Sequence, residues 1–480
     1  MNSRPSLLPF AVAFLAAASS AQAPIAPGNL VVVRVGDGTF ALTNAAQPVF
    51  LEQYDTTGQF VGTIPLPTSV NGAQRRVTNS GTATSEGFLT QSADGRYLIS
   101  VGYDATPGTT SIATSASATV NRVVVRTSLD GTVDSSTALT DAYTGNNIRS
   151  AASDDGTRFW TSGPSNGPRF VLGLGQSTST QLSTTVTNTR VVDVAFGQLY
   201  VSSATTALRG VASLGIGLPT VPGQTATVLP GFPSDASASN YDFFFADAST
   251  LYASDDRTTG LGGIQKWVFV AGTWVLQYTL TPATNVGCRG LTGSVVAGVA
   301  TLYATTTQGA ANQLVSVTDT GATSMFTTLA TTGANQVFRG LRFVRCPSAG
   351  EEVFGVSTPH SGGRPDLGVS APFVLGTSTS VVAVSMLGND FALYLVGFRM
   401  PPFDLSLIGA QPNSELYVAV LTTALVPTDI AGVASLPIGV PPDPALCGAE
   451  LTWQVVQVDP LLPYALPIAT SRGLITRIGI

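Results

Sequence analysis

Charged side chains are scarce in this sequence. Among its 480 residues, 22 are Lys or Arg and 28 are Asp or Glu, so charged residues make up 10% of the chain, against roughly a quarter in an ordinary soluble domain. Lys266 is the single lysine, and the formal net charge is −6. Because nucleic-acid binding needs a clustered basic surface, the sequence predicts no nucleic-acid partner.

Histidine and cysteine are also rare, with one His and three Cys. A structural zinc site usually takes four such ligands, so the sequence predicts neither a metal site nor a cofactor. Nucleophilic catalysis by a Ser-His-Asp arrangement would depend on His360, which lies in a turn-like segment. The G-x-S-x-G match at residues 163–167 lacks the strand and the helix that a nucleophile elbow needs on its two sides. We therefore assign no catalytic residue.

Calcium is the remaining metal to consider, since it binds loops rich in carboxylates. The sequence offers Asp154-Asp155-Gly156 and Asp255-Asp256. Neither has the spacing of a calcium-binding loop, and hairpin turns explain both.

Long hydrophobic runs are missing after the N-terminus. Residues 7–18 form an apolar stretch behind Arg4 that is too short to span a bilayer, and small residues follow it. This order is typical of a signal peptide, with cleavage after Ala21; a buried strand or helix is the alternative. The sequence predicts a secreted or cell-surface protein whose mature chain has no membrane span.

Export would place the cysteines in an oxidising environment, where disulfides persist. Cys288, Cys346 and Cys447 allow three pairings, each with one thiol left over. A Cys346–Cys447 bridge between two domains is the preferred pairing. Three unpaired buried thiols are an equal alternative, since free Cys behaves as a small hydrophobe.

What the sequence has in abundance is short β-branched and aromatic runs between turn residues, which is typical of antiparallel strands. Arg289-Gly290-Leu291 recurs 50 residues later as Arg339-Gly340-Leu341, and an aromatic strand recurs at Tyr200, Tyr252 and Tyr303 in steps of 52 and 51 residues. Repeats of this length with about four short strands each are typical of β-propeller blades. We predict about six blades, starting near Phe88, Arg149, Val191, Tyr241, Arg289 and Arg339.

The sixth predicted blade has only one strand at its C-terminal end. The N-terminal strands between residues 30 and 66 are expected to complete it and to close the ring, which removes exposed sheet edges. Seven blades and a right-handed β-helix are the alternatives.

The character of the chain changes beyond Cys346-Pro347. Proline becomes more frequent, and short strand-like runs follow at residues 380–386, 391–398, 405–407, 416–421, 451–458 and 474–478. Such alternating short strands predict a β-sandwich. The predicted organisation is an all-β protein with a signal peptide (1–21), a β-propeller (24–346) and a C-terminal β-sandwich module (347–480).

Two sets of motifs resemble known families. The first is GGIQKW with TW, then RGLT, LYATTT and VTDTG, in residues 262–321; it resembles an uncharacterised family of exported bacterial β-propeller proteins. The second is PPDPAL at residues 441–446 with SRGL at 471–474; it is similar to a C-terminal module of secreted planctomycete proteins. Neither resemblance brings catalytic residues with it.

The candidate binding residues lie on the predicted inner strands, which line the channel of a propeller. Arg149, Arg289 and Arg339 stand at equivalent blade positions, with Asp193 and Asp242 near the corresponding places in other blades. Arginine suits carboxylate or sugar hydroxyl groups, so this ring could bind an acidic glycan or peptide, or another envelope component. Pairing of the arginines with Asp or with backbone carbonyls of neighbouring blades is the structural alternative.

Three functional hypotheses follow. The first is a non-enzymatic binding module with the propeller as its recognition platform. The second is a polysaccharide lyase or hydrolase that uses carboxylates and arginines of the channel; hydrolysis needs two carboxyl groups at a defined separation, and Asp193 and Asp242 are the candidates. The third is a purely structural role in a cell envelope.

Overall fold

The computed structural model describes residues 24–309 and 311–480. The predicted signal peptide, residues 1–21, lies outside the described residues. The described residues form β-strands joined by turns, with short 3₁₀ helices at Ile112–Thr114, Thr206–Leu208, Leu405–Ile408 and Pro444–Leu446. Within those two ranges, no helix is long and apolar enough to cross a membrane.

The strands between residues 30 and 343 form the first part of the molecule. In chain order they are β1 (Leu30–Val35), β2 (Ala46–Tyr54), β3 (Phe60–Pro65), β4 (Thr78–Ser80), β5 (Thr90–Gln91), β6 (Tyr97–Tyr103), β7 (Arg122–Ser128), β8 (Val133–Leu139), β9 (Ser150–Ala152), β10 (Phe159–Ser162), β11 (Arg169–Val171), β12 (Thr180–Gln181), β13 (Thr189–Ala195), β14 (Gln198–Ser203), β15 (Gly210–Leu214), β16 (Ala226–Val228), β17 (Asn240–Asp247), β18 (Thr250–Asp255), β19 (Gly263–Val270), β20 (Thr273–Leu280), β21 (Cys288–Val296), β22 (Val299–Thr306), β23 (Gln313–Thr318), β24 (Thr327–Thr331) and β25 (Val337–Phe343).

These strands form a ring of antiparallel sheets. Four sheets hold four consecutive strands each: β9–β12 (blade 2), β13–β16 (blade 3), β17–β20 (blade 4) and β21–β24 (blade 5). Strands β5–β8 (blade 1) and β25 with β1–β3 (blade 6) share one larger sheet, because β4 pairs with both β2 and β6. The first strands of the blades contact one another in sequence, and β25 contacts β5. The strands between residues 30 and 343 therefore form a closed six-bladed β-propeller, which confirms the predicted fold.

The ring closes through β1, which lies between β25 and β2. Leu30 pairs with Phe343 and Val32 with Leu341. Leu30 and Val32 pack against side chains of blade 5, whereas Val31, Val33 and Val35 pack against side chains of blade 1. Burial on both faces explains the apolar run from Leu30 to Val33, and each fully buried valine contributes about 1.5–3 kcal/mol.

A repeated hydrogen bond fixes each blade against the next one. A hydroxyl group near the end of a second strand donates to a carbonyl near the start of the following inner strand. The donor and acceptor residues are Ser162 and Arg190 (2.7 Å), Ser254 and Arg289 (2.6 Å), Thr305 and Arg339 (2.7 Å), and Ser202 and Tyr241. Arg190, Tyr241, Arg289 and Arg339 therefore occupy equivalent positions in four successive blades.

The strands after residue 349 form two further sheets. They are β26 (Gly350–Phe354), β27 (Asp366–Val369), β28 (Ser378–Val384), β29 (Phe391–Asp404), β30 (Glu415–Pro427), β31 (Ala434–Gly439), β32 (Glu450–Val458), β33 (Ile468–Thr470) and β34 (Gly473–Arg477). The larger sheet has the order β26-β34-β32-β29-β30 with β33 beside β32, and the smaller one has the order β27-β28-β31.

The two sheets pack face to face as a β-sandwich. Their shared core includes Val381 from the smaller sheet and Trp453 from the larger one. Tyr394 of β29 donates a hydrogen bond of 2.8 Å to the carbonyl of Ala434 on β31, which joins the sheets. The strand expected at residues 405–407 is wrong: this segment is a 3₁₀ helix, because the Asp404 carboxylate accepts from the Ser406 N–H at its start.

A disulfide joins the segment that leaves blade 6 to the sandwich. Cys346 and Cys447, the pair preferred from the sequence, are bonded with their Cα atoms 5.6 Å apart. Cys288 is a free, buried thiol inside blade 5. Backbone bonds from Ser348 to the Asp94 carbonyl (3.0 Å) and from Ile480 to the Pro347 carbonyl (3.2 Å) hold the same segment.

Candidate functional site: the two mouths of the propeller channel

The inner strands of all six blades run in the same direction along the channel, so their two ends gather at opposite mouths. The arginine mouth is the end where these strands begin, with Arg149, Arg190, Tyr241, Arg289 and Arg339. The pocket mouth is the end where they finish, with the cavity described below. These two mouths contain all five of the ligand-binding residues predicted from the sequence.

Two of the predicted arginines hold neighbouring blades together. Arg149 of blade 2 donates from Nη1 to the Asn188 side chain (2.8 Å) and to the Thr189 carbonyl (3.1 Å) of blade 3. Arg339 of blade 6 donates from Nη2 to the carbonyl of Gly81 (3.2 Å). Both side chains are buried, with 9% and 6% of their surface exposed. Their first role is therefore to satisfy backbone carbonyls between blades.

The other two arginines of this mouth leave donors free. The guanidinium carbon of Arg190 lies 3.8 Å above the ring of Tyr241, and that of Arg289 lies 5.9 Å from the same ring. Arg190 uses Nη1 to reach Ser239 and the Asn240 carbonyl, and Arg289 reaches Asp256 through Nε at 3.4 Å. Both are partly exposed, so unused guanidinium N–H groups flank Tyr241.

Sequence reasoning missed Arg190. The predicted start of blade 3 was Val191, one residue too late. A repeated serine in the second strands of blades 2 and 3 could have identified Arg190. This serine lies two residues after an aromatic residue, as Ser162 does after Trp160 and Ser202 after Tyr200. Ser162 donates to the Arg190 carbonyl just as Ser202 donates to the carbonyl of the equivalent residue in the next blade.

Positive charge exceeds negative charge at the arginine mouth. The carboxylates that interact with the four arginines of this mouth are Asp256 and Glu86, while the neighbouring Asp255 and Asp235 pair with Arg257. Glu86 is fully buried, accepts from the Tyr103 hydroxyl (2.7 Å), and burial raises its pKa to about 7. Burial, assisted by the charge of Arg190, lowers the pKa of Arg149 to about 10, so this side chain stays protonated at neutral pH. The four guanidinium groups thus face one full and one partial negative charge.

The predicted carboxylates lie on the other side of a central plug. The rings of Phe88 (blade 1) and Tyr241 (blade 4) meet with centroids 5.8 Å apart. Beyond them, Arg342 of blade 6 crosses the channel to Asp193 of blade 3, at 2.6 Å, and approaches Asp242 of blade 4 at 3.8 Å. Asp193 and Asp242 therefore pair with Arg342 instead of standing in the ring of arginines.

The two carboxylates differ in access. Asp242 is 1% exposed and accepts from the backbone N–H of Leu291 (3.1 Å) and of Phe243 (2.9 Å), and burial raises its pKa to about 7. The Asp193 side chain is 20% exposed. A ligand that enters from the pocket mouth can reach Asp193 but not Asp242.

The pocket mouth contains a cavity of about 360 Å³. This volume lies at the lower end of the range for small-molecule sites. Its aromatic lining consists of Phe196, Phe243, Phe244, Phe245 and Phe343, and its polar lining includes Gln91, Asp193, Thr292, Arg342 and Arg345. The combination of an apolar wall with a few convergent polar groups is typical of ligand sites.

The other residues considered from the sequence have structural partners. Both ring nitrogens of His360 are bonded, Nε2 to the Ser385 carbonyl (2.7 Å) and Nδ1 to the Gly362 N–H (2.9 Å). Asp154 pairs with Arg158, and Asp255 pairs with Arg257 (2.8 Å). Trp267 of the GGIQKW motif is also buried, and it stacks on Phe232 with ring centroids 3.8 Å apart.

No family model matches the chain, and no curated protein sequence matches it. Solved structures similar to it include a putative 6-phosphogluconolactonase from Bacteroides uniformis (12% identity, TM-score 0.38, 63% of this chain and 82% of that one). The hydrazine synthase of Kuenenia stuttgartiensis matches at 12% identity and TM-score 0.34, over 63% of this chain and 77% of that one. The extracellular domain of a putative one-component system from B. thetaiotaomicron matches at 10% identity and TM-score 0.35, over 90% of this chain and 55% of that one. Similarity this low says nothing about ligand or activity.

Proposed function

We propose that this protein is an exported or cell-surface binding protein, without enzymatic activity, that recognises an anionic ligand at the arginine mouth. The observation that carries the proposal is the excess of guanidinium groups there. Four arginines surround Tyr241, and the balancing carboxylates are Asp256 and a partly neutral Glu86. In a chain with a net charge of −6, this mouth attracts anions against the overall charge.

The four arginines differ in their hydrogen bonding, and this difference supports the same proposal. Arg149 and Arg339 are fixed by backbone carbonyls, and they hold the mouth in shape. Arg190 and Arg289 offer free N–H groups on either side of an aromatic ring. Planar guanidinium groups bind carboxylate and sulfate in a two-pronged geometry, so an acidic glycan or an acidic peptide of the envelope is the ligand class. The C-terminal sandwich would serve attachment or sorting.

The test compares binding of polygalacturonate and heparin with binding of neutral dextran, by isothermal titration calorimetry. Replacing the two arginines that have free N–H groups (Arg190→Ala with Arg289→Ala) should weaken binding of the acidic polymers at least tenfold, because these donors are removed. The matched control is Arg158→Ala with Arg472→Ala, which removes the same charge from ion pairs outside the mouth. Equal loss in both double variants, or equal binding of dextran, would contradict the proposal.

A polysaccharide lyase or hydrolase is the second candidate, because Asp193 and Arg342 face the cavity of the pocket mouth. The burial of Asp242 weakens it, since hydrolysis needs a second carboxyl group that reaches the substrate. The same acidic polymers, incubated with the protein, would report an enzyme through new reducing ends or unsaturated uronate products. Such activity, lost in Asp193→Asn, would replace the binding proposal.

A further inference from the structure

The cavity of the pocket mouth is separate from the arginine mouth. The contact between Phe88 and Tyr241 and the crossing of Arg342 to Asp193 both lie between them. An inference about this cavity therefore does not depend on what the arginine mouth binds.

One wall of the cavity contains an aromatic side chain in a costly conformation. Phe196 and Gly197 form the two-residue turn between β13 and β14, with φ of 51° and 71°. Positive φ is unfavourable for a bulky side chain, and the Phe196 side chain is also 64% exposed. Strain of this kind is retained where it serves a site.

Blade 5 shows that the turn does not need an aromatic residue. The equivalent turn between β21 and β22 is Ala297-Gly298, with Ala297 at φ 50°. The same backbone thus forms with a methyl group in place of the ring. Phe196 instead packs against Phe245, with centroids 5.7 Å apart, and Phe245 packs on Tyr200 at 4.9 Å. These rings build an apolar face at the cavity.

The charged side chains that line the cavity are two arginines, Arg342 and Arg345, and one carboxylate, Asp193. Asp193 and Arg342 neutralise each other at 2.6 Å. Arg345 is exposed at the rim, and no carboxylate of the described residues lies within ion-pair distance of it. Its Nε is 3.4 Å from the side-chain oxygen of Gln91, which also accepts from the Arg345 backbone N–H (2.9 Å). Gln91 therefore positions Arg345 without neutralising it.

Hydroxyl-binding groups complete the lining. The Thr292 hydroxyl accepts from the Phe343 N–H at 3.1 Å and keeps its own proton to donate. The partly exposed Asp193 carboxylate can accept. The cavity thus combines an aromatic face, one unpaired guanidinium, a hydroxyl donor and a carboxylate acceptor within about 360 Å³.

We propose that the cavity binds one carboxylated sugar ring, the terminal uronic acid of a polysaccharide. The sugar carboxylate pairs with Arg345. The C–H face of the ring lies on Phe196 and Phe245, because polarised C–H groups are attracted to the negative face of an aromatic ring. Asp193 and Thr292 bind ring hydroxyl groups, and the cavity volume suits a single ring.

The test measures binding of four probes by ligand-observed NMR and calorimetry: glucuronate, galacturonate, glucose and benzoate. Glucuronate or galacturonate should bind at least tenfold more tightly than glucose, which lacks the carboxylate, and than benzoate, which lacks hydroxyl groups. Arg345→Ala should reduce uronate affinity to that of glucose. Phe196→Ala should weaken uronate binding several-fold without lowering the melting temperature, since Ala297 occupies the same turn in blade 5.

Arg472→Ala, which removes an arginine from an ion pair of the C-terminal sandwich, is the matched control and should leave uronate binding unchanged. Equal binding of glucose and glucuronate would overturn the assignment, as would tighter binding of benzoate or full uronate affinity in Arg345→Ala. Loss of uronate binding in Arg289→Ala but not in Arg345→Ala would place the sugar at the arginine mouth, supporting the proposed function and refuting this inference.

Discussion

The two mouths of one channel use arginine in opposite ways. At the arginine mouth, the buried Arg339 donates to the backbone carbonyls of Ser80 and Gly81, at the end of the strand that joins blades 6 and 1. At the pocket mouth, the equally buried Arg342 bridges two carboxylates across the channel. Arg345 has no carboxylate partner among residues 24–309 and 311–480. The difference shows that the role of each buried arginine depends on whether the neighbouring acceptors are backbone carbonyls or carboxylates.

The largest effect on stability is expected at the crossing of the channel. Arg342→Leu leaves Asp193 and the fully buried Asp242 without their cation, which should cost about 3–5 kcal/mol of unfolding free energy. Arg339→Leu leaves carbonyl groups unsatisfied and should cost about 1–3 kcal/mol. Denaturant unfolding of both variants measures the difference. Equal losses would show that the two arginines are anchored alike.

A smaller, pH-dependent effect is expected at Glu86. Its pKa is raised by burial from 4.5 to about 7, so the folded protein keeps a proton that the unfolded chain has already lost. The stability contributed by the protonated carboxyl is therefore present below about pH 4.5 and is lost as the pH rises towards 7. Glu86→Gln removes this pH dependence. The unfolding free energy of the variant, relative to that of the parent protein, should therefore increase from about pH 4.5 to about pH 7 and then stay constant.

Unfolding midpoints measured from pH 4.5 to pH 8 test this prediction. Glu351→Gln, on the exposed strand β26, is the control and should follow the parent protein at every pH. A difference between Glu86→Gln and the parent that does not change with pH would contradict the raised pKa.

The smallest effect is expected at Arg289. It is partly exposed, and its contact with Asp256 is 3.4 Å long, so Arg289→Ala should change the unfolding free energy by less than about 1 kcal/mol. Thermal unfolding compares it with Arg339→Leu. A loss as large as that of Arg339→Leu would mean that Arg289 is a structural anchor and not a free donor.

The fold could be predicted from the sequence to a large extent. The spacing of Tyr200, Tyr252 and Tyr303 gave the blade period, and the strand pairs Leu30–Phe343 and Val32–Leu341 confirm the predicted closure of the sixth blade. The error at residues 405–407 has a local cause, since a capping carboxylate at Asp404 favours a helical turn in an otherwise strand-like run.

The candidate site could be predicted only in part. The three arginines expected at equivalent positions lie at one mouth, but Asp193 and Asp242 do not join them. Asp193 lies three residues further along its inner strand than Arg190, and Asp242 lies inside a register shift between Asn240 and Phe243. Such a bulge breaks the two-residue alternation, so counting from the repeat does not say which side chains face the channel.

The sequence by itself determined the ring of blades, because turn residues, apolar alternation and a repeat of about 50 residues are local properties that each blade expresses independently. Only the tertiary structure decided the sites. Asp193 and Arg342 are 149 residues apart in the chain and meet at 2.6 Å, because the ring places blades 3 and 6 on opposite sides of one narrow channel. No local pattern encodes such a contact; it exists only once the ring has closed.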